Sequence, residues 1–207
     1  MPKPNDKSIK EVYNKIAEGF YNLRQQPITP EIKKLAEEWK PGKLLDVGCG
    51  IGNSLLPFEK MGFECTGVDV SPKMAELAEK FREKNRLKYE VRIGSILSLP
   101  FDETSFDCAI SVAVLHHLDS EEKRLKALAE IKGVLKERGR IFLTVWNKKT
   151  KQKDAYIPWT SKKIKYNRYY HFFDKEELKK LFEAVGFKKI KVFLDEKEKN
   201  ICALASK

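Results

Sequence analysis

No apolar run in these 207 residues approaches the roughly 20 needed to cross a membrane. The start, Met1-Pro2-Lys3-Pro4-Asn5-Asp6, lacks the apolar core of a secretory signal. Together these absences predict a cytoplasmic chain with no membrane partner. Cysteine is sparse as well: Cys49, Cys65, Cys108 and Cys202 lie far apart with no Cys-x-x-Cys pair, and of the three histidines His116 and His117 are adjacent. That spacing argues against a zinc centre or a disulfide framework, so the thiols are expected reduced and strand-buried, with no metal. The length suits a single domain, 1–207, able to fill a sheet-and-helix core without crosslinks.

A phosphate-binding Gly-Lys-Ser/Thr ending is also missing. The apolar run Leu44-Leu45-Asp46-Val47 breaks into Gly48-Cys49-Gly50-Ile51-Gly52, but Asn53 and Ser54 follow, which excludes a lysine-armed triphosphate loop. What remains is a strand, a tight glycine loop and a helix, then a second apolar run ending in Asp69. In open α/β sheets this layout holds a nucleoside across the carboxyl ends of the strands. Glycines let the backbone turn sharply and approach a ligand, and a carboxylate at the second strand end can accept from both ribose hydroxyls. Taken alone, the loop fits a nucleoside cofactor, a dinucleotide or a tight structural turn.

The rest of the chain alternates strands and helices. Ile9, Val12, Tyr13, Ile16, Ala17 and Phe20 recur at helical spacing, leading to Arg24, and Thr29-Pro30 reads as the start of a second helix to about Trp39, so residues 1–40 form an N-terminal helical region. Strands are expected over 43–48, 63–69, 88–94, 106–112, 140–146, 187–194 and 200–206, with helices near 53–61, 72–84, 120–136 and 175–185. Ser71 and Pro72 suit an N-cap and first turn, and Asp174 with Glu177 a capping box. The pattern predicts an α/β fold: a doubly wound, mainly parallel seven-stranded sheet closed by a C-terminal antiparallel hairpin.

Net charge is +11, and it is concentrated. Residues 147–171 hold Lys148, Lys149, Lys151, Lys153, Lys162, Lys163, Lys165 and Arg168 against one acid, Asp154, interleaved with Tyr156, Trp159, Tyr166, Tyr169 and Tyr170. Cations that follow phosphates, mixed with rings that stack on unpaired bases, have the composition of a single-stranded nucleic-acid surface. The alternative is a solvated lysine loop whose rings pack back on the domain. The segment leaves the carboxyl end of the fifth strand, over the ligand crevice, and that favours a substrate-binding role.

The acidic Gly-x-Gly-x-Gly loop, Asp69-Val70-Ser71-Pro72, Leu99-Pro100-Phe101 and Ser105-Phe106-Asp107-Cys108-Ala109-Ile110, in this order, resemble the class I S-adenosylmethionine methyltransferases, whose fold is Rossmann-like. The resemblance implies that S-adenosylmethionine is the cofactor. Asp46, Gly48, Cys49, Gly50 and Gly52 would lie under its methionine and ribose, with Asp69 and Val70 at the ribose and Val112 nearby. The family often has Asp where this chain has Ser95, so adenine would be met by Ser95 or by the backbone at Ile96.

Further stretches narrow the resemblance. Val12-Tyr13-Asn14, Arg24, Val112 to Leu118, Ile141 to Asn147, Ile157-Pro158-Trp159 and Arg168-Tyr169-Tyr170-His171-Phe172-Phe173 are similar to the tRNA wobble-uridine carboxymethyl methyltransferases. That family transfers a methyl group to the carboxylate of a carboxymethyl group on the wobble uridine, forming a methyl ester. By the resemblance the partners are the tRNA anticodon loop and a small zinc-binding activator subunit. Arg24 and Arg168 could each clamp a carboxylate or phosphate bidentately. His116 could hydrogen-bond the acceptor and titrate near neutrality, or simply orient its loop. Trp146 and Tyr170 could stack on the flipped base or form a wall, while Lys162, Lys163 and Lys165 would meet RNA phosphates. Two rival functions stand: a small-molecule methyltransferase, for example on a quinone precursor, and a regulatory subunit that binds cofactor or RNA without turnover.

Overall fold

Adjacent apolar residues such as Leu44 and Leu45 point to opposite sides of a strand, so both faces of the sheet must be covered. The computed structural model describes residues 6–24, 30–161 and 164–207. Helices α1 (Asp6–Leu23) and α2 (Glu31–Glu38) precede β1 (Lys43–Val47), α3 (Leu55–Lys60), β2 (Glu64–Asp69), α4 (Pro72–Lys84), β3 (Glu90–Ile93) and β4 (Phe106–Val112). Then come α5 (Glu121–Val134), β5 (Leu135–Trp146), β6 (Asp154–Ser161), β7 (Ile164–His171), α6 (Lys175–Ala184), β8 (Lys188–Leu194) and β9 (Asn200–Ser206). The main sheet has the order β3-β2-β1-β4-β5-β9-β8, parallel through β5 and antiparallel at the β5–β9 and β9–β8 pairs. This is the expected doubly wound, mainly parallel sheet with its terminal hairpin.

Leu45, Ile141 and Ala203 face α5 and α6, whose Leu128, Ile131, Leu178 and Phe182 complete one core layer. Leu44, Cys65, Cys108 and Cys202 face α2 and α3, packing with Ile32, Leu35 and Phe58. All four cysteines are free and buried. A third cluster joins α1 to α4 through Ala17, Tyr21, Met74, Leu77 and Phe81, and it carries α1 across the carboxyl ends of the strands. Because β1 lies between β2 and β4, the chain reverses direction across the sheet there, and the resulting crevice lies above both strand ends.

The caps follow the sequence signals. Ser71 Oγ accepts from the Met74 amide at 3.1 Å, with Pro72 in the first turn. Asp174 accepts from the Glu177 amide at 2.8 Å, but the Glu177 carboxylate turns to His171 and Lys153, so only half of the expected capping box forms. Thr29 lies outside the described residues. Most boundaries fall within two residues of those expected, and the largest shift is at β5: α5 ends at Val134 and β5 already begins at Leu135, five residues before the expected start.

The largest difference is the basic segment, expected as a connection and found as a second, two-stranded sheet of β6 and β7. Tyr156 pairs with Tyr169, Ile157 with Arg168 and Trp159 with Tyr166. Pro158 argues against a strand in sequence, yet a ribbon of two edge strands leaves its missing N–H without cost. The Asp154 carboxylate pins the hairpin by accepting from the Tyr169 hydroxyl and lying 2.8 Å from His171 Nδ1. Among the described residues, no helix is long and apolar enough to cross a membrane.

Candidate cofactor and substrate cleft

Immediately after β1 the chain reverses with positive φ at Gly48, Gly50 and Gly52, of 75°, 54° and 75°. A Cβ at Gly48 would strike Val114, and one at Gly52 would strike the Tyr89 hydroxyl, so these two glycines serve close packing as well as conformation. A Cβ at Gly50 would meet only the Phe20 ring, at 3.9 Å, and the Gly50 amide donates to Asp69 Oδ2 at 2.9 Å while the Ser71 amide donates to Oδ1 at 2.9 Å. Asp69 is thereby aimed across the loop with lone pairs to spare for hydroxyl donors. Burial raises its pKa, and the two amide bonds work in the opposite direction.

Asp46 is 1 % exposed and lines the same cleft, and its Oδ1 has no hydrogen-bond partner among the described residues. Burial, with the Asp69 charge adding to it, pushes its pKa up to about 8. A buried carboxyl whose Oδ1 has no partner among the described residues suits a cationic donor such as the ammonium of an amino-acid moiety, which would favour its ionised form.

The opposite wall is built after β4. Ala113 turns the chain in the left-handed region, at φ 61°, and its amide donates to both the carbonyl and hydroxyl oxygens of Thr144 at 3.1 Å. The turn Leu115–His117 follows. Because the Trp146 amide donates to His116 Nδ1 at 3.3 Å, Nε2 carries the hydrogen. Burial first, then the neighbouring His117, Arg168 and His171, hold the His116 pKa well below its usual value. His116 is therefore a neutral donor at working pH, which corrects the expectation that it titrates near neutrality.

The β6–β7 hairpin supplies the third side. Arg168 is 5 % exposed, its guanidinium carbon 5.0 Å from the Trp159 ring and 5.2 Å from the Tyr170 ring, and its Nε has no partner among the described residues. Helix α1 forms the roof. Asn14 Oδ1 accepts from the Ser71 hydroxyl at 2.7 Å and the Lys73 amide at 3.2 Å, fastening α1 to the start of α4 beside Asp69. Phe20 meets Trp159 with centroids 5.9 Å apart, and the Asn53 side chain donates to the Arg24 carbonyl at 3.0 Å.

The cleft brings together Arg24, Asp46, Gly48, Cys49, Gly50, Asp69, Val70, Ser95, Ile96, Val112, His116, Trp146, Arg168 and Tyr170. Gly52 and Lys165 do not line it, and Lys165 is exposed on β7. Lys162 and Lys163 lie outside the described residues. Tyr170 is 1 % exposed and stacks against His116 at 4.8 Å and Trp146 at 4.5 Å. With its ring so enclosed, Tyr170 takes the wall role of the two open to it in the sequence. Ser95 Oγ accepts from the Leu97 amide at 3.1 Å, shaping a local turn at the cleft.

Sequence reasoning missed Tyr13, Asn14, Asn53 and His117 as functional positions. Tyr13 falls on the periodic face of α1, a pattern that reads as packing. The signal that could have separated it is a hydroxyl and an amide, Tyr13-Asn14, placed side by side on a helix that must cover apolar surface.

A glycine loop at one strand end, a braced carboxylate on the next and a roof over both define a nucleoside-cofactor-binding α/β protein. Residues 45–143 match the family model described as a methyltransferase domain. A Mus musculus protein named as a tRNA methyltransferase is 31% identical over 157 residues, which cover 73% of this chain, and the chain spans only 33% of that relative's length. The Schizosaccharomyces pombe tRNA (carboxymethyluridine(34)-5-O)-methyltransferase is 28% identical over 86% of this chain and 87% of its own. An Encephalitozoon cuniculi protein named as a methyltransferase is 32% identical over 70% of each chain. Among solved structures, a Pyrococcus horikoshii OT3 protein superposes with a TM-score of 0.75 at 20% identity, over 98% of this chain and 99% of its own. A chain from the complex of the Haloferax volcanii Trm112 methyltransferase activator with a methyltransferase does so at 0.72 and 15% identity, over 96% of each. The chain belongs to the class I S-adenosylmethionine-dependent methyltransferases, and S-adenosylmethionine is its cofactor.

The residues present fit that cofactor: the unsatisfied Asp46 oxygen suits its ammonium and the braced Asp69 its ribose hydroxyls. Asp69→Ala should weaken S-adenosylmethionine binding at least tenfold in calorimetry, about 1.4 kcal/mol, because the ribose contact and the brace on the Gly50 amide are lost together. Unchanged affinity would remove Asp69 from the site.

Proposed function

We propose that this chain transfers the methyl group of S-adenosylmethionine to the carboxylate of a carboxymethyl group on the wobble uridine of tRNA, forming a methyl ester. The observation that carries the proposal is Arg168: a guanidinium buried in the cleft wall between two rings, with no carboxylate of the described residues paired to it. Such a cation calls for an anionic ligand. The name of the fission-yeast relative supports a carboxymethyl acceptor, and the exposed lysines Lys148, Lys149 and Lys151 between β5 and β6 and Lys165 on β7 support an RNA partner.

When bound, the cofactor supplies an electrophilic methyl carbon on a sulfonium. The chain's task is placement. A carboxylic acid with a pKa of about 4 is ionised at neutral pH and needs no general base. Arg168 from the hairpin and Arg24 from the end of α1 would hold that carboxylate, and the neutral Nε2–H of His116 would donate to it without taking its charge. The enclosing walls exclude water from the carboxylate, which strengthens those contacts. The activator subunit belongs to this proposal, supported by the fold shared with the methyltransferase of the Trm112 complex.

The test offers purified protein and labelled S-adenosylmethionine to tRNA bearing carboxymethyluridine and to the same tRNA lacking it. Labelling is expected only in the first, in a product released by mild alkali. Between about pH 6 and 8 the rate should stay flat, since the acceptor is ionised and His116 stays neutral throughout. Equal labelling of both tRNAs, or an alkali-stable product, would refute carboxylate methylation and favour a base or ribose acceptor.

A further inference from the structure

Two side chains, Tyr13 of α1 and His117 of the turn after β4, meet in the cleft that Arg168 lines. The His117 Nδ1 atom lies 2.8 Å from the Tyr169 carbonyl oxygen, which can only accept, so Nδ1 carries the hydrogen and Nε2 is an acceptor. Tyr13 on α1 lies 2.8 Å from that Nε2 and donates its hydroxyl hydrogen to it. Burial holds the His117 pKa down to about 4, so His117 keeps accepting at any working pH. Burial likewise raises the Tyr13 pKa, so the phenol stays protonated. With its hydrogen committed, the Tyr13 oxygen is purely an acceptor toward the cleft that Arg168 also lines, and the Arg168 charge acts on it.

The Arg168 guanidinium needs such an acceptor. Ring contacts with Trp159 and Tyr170 confine its position but leave its rotation open, because a ring face attracts a cation without fixing the direction of its N–H bonds. A hydrogen-bond acceptor in the guanidinium plane does fix it. We infer that Tyr13 is a positioning residue: held by His117, its oxygen sets the orientation of the Arg168 fork that receives the substrate carboxylate. This inference rests on the carboxylate acceptor proposed above and adds the residue that aims its clamp. The next residue on α1, Asn14, is bonded to Ser71, whose amide braces Asp69. One helical turn therefore ties the carboxylate clamp to the ribose carboxylate, and two ligands from different sides of the cleft are placed by a single rigid element.

The experiment is a double-mutant cycle on the full chain with carboxymethyl-tRNA, pairing Tyr13→Phe with Arg168→Ala. Tyr13→Phe alone should lower kcat/KM about tenfold, chiefly through kcat, with S-adenosylmethionine affinity within about threefold of the parent. On the Arg168→Ala background it should change kcat/KM less than about twofold, because the group it aims is gone. A merely structural role would leave the loss the same on both backgrounds, and that result would overturn the inference while leaving the proposed reaction standing. If Tyr13→Phe melts too early to assay, His117→Phe, which releases the same hydroxyl, takes its place in the cycle with the same expectation. A parent protein that does not label carboxymethyl-tRNA would overturn the proposed reaction and this inference with it.

Discussion

Arg168→Met should lower kcat/KM on carboxymethyl-tRNA at least a hundredfold and at the same time raise the melting temperature of the cofactor-free protein. The two effects have one cause. Arg168 is 5 % exposed, and among the described residues its Nε has no partner and its charge is set against two rings rather than a carboxylate. A buried cation without a counter-ion costs folding free energy, and replacing it by an apolar chain of similar reach is often neutral or stabilising. Methionine can keep contact with Trp159 and Tyr170, so a gain of about 1 kcal/mol, or roughly 2–4 °C for a domain of this size, is expected by differential scanning fluorimetry. Losing a charge-assisted clamp on a desolvated carboxylate removes about 2.7 kcal/mol or more of transition-state stabilisation, which is the hundredfold in rate. Arg168→Lys should recover little, because an ammonium lacks the planar fork. A variant that keeps its activity within about threefold would take Arg168 out of the site. One that loses activity and melts lower would make it a structural residue.

The same comparison of cost and use explains what could be read in the chain before its structure. The sheet was legible because its code is local: apolar runs, glycines at strand ends and caps such as Ser71-Pro72 each report a conformation within a few residues. The cofactor half of the cleft was legible for the same reason, since Asp46, the glycine loop and Asp69 all sit at strand ends whose order follows from the alternation. The roof and the hairpin were not. Nothing near Tyr13 in sequence reports that its hydroxyl meets His117, 104 residues away. Nothing in the Lys-rich stretch reports that Arg168 and Tyr170 turn inward while Lys165 stays exposed, because that alternation appears only once β6 and β7 pair. Composition marked the segment as cationic and aromatic but could not separate Arg168, which is buried, from described lysines such as Lys148 and Lys165, which are exposed. His116 failed in a related way: its usual titration range is a property of exposed imidazole, and the burial that removes it comes from Tyr170 and Trp146, both distant in sequence.

Binding of S-adenosylmethionine should release a proton near pH 7 and tighten as pH rises from 6 to 7.5, and Asp46 is the group responsible. In the cofactor-free protein its pKa stands at about 8, so at pH 7 the carboxyl is mostly protonated. An ammonium placed against it favours the ionised form, and the proton must leave as the ligand arrives. Well below pH 8, each pH unit lost should therefore weaken binding by up to about tenfold. Asp46→Asn should bind more weakly at pH 7.5 and show a much flatter dependence, which separates this carboxyl from its neighbour Asp69. The stability of the free fold should move the other way. Because the folded pKa lies above the unfolded value of 3.8, the native state holds a proton that the unfolded chain has lost over the range from about pH 4 to 8. The contribution of Asp46 to stability therefore falls as pH rises through that window. Asp46→Asn should remove this loss, so the variant should melt higher than the parent at pH 7.5 without cofactor, and saturating cofactor should narrow or reverse the gap. Calorimetry in two buffers of different ionisation heat counts the proton directly. A count of zero at pH 7, with parent and variant showing the same pH dependence, would mean that Asp46 is already ionised in the free protein and that its buried oxygen finds its partner elsewhere.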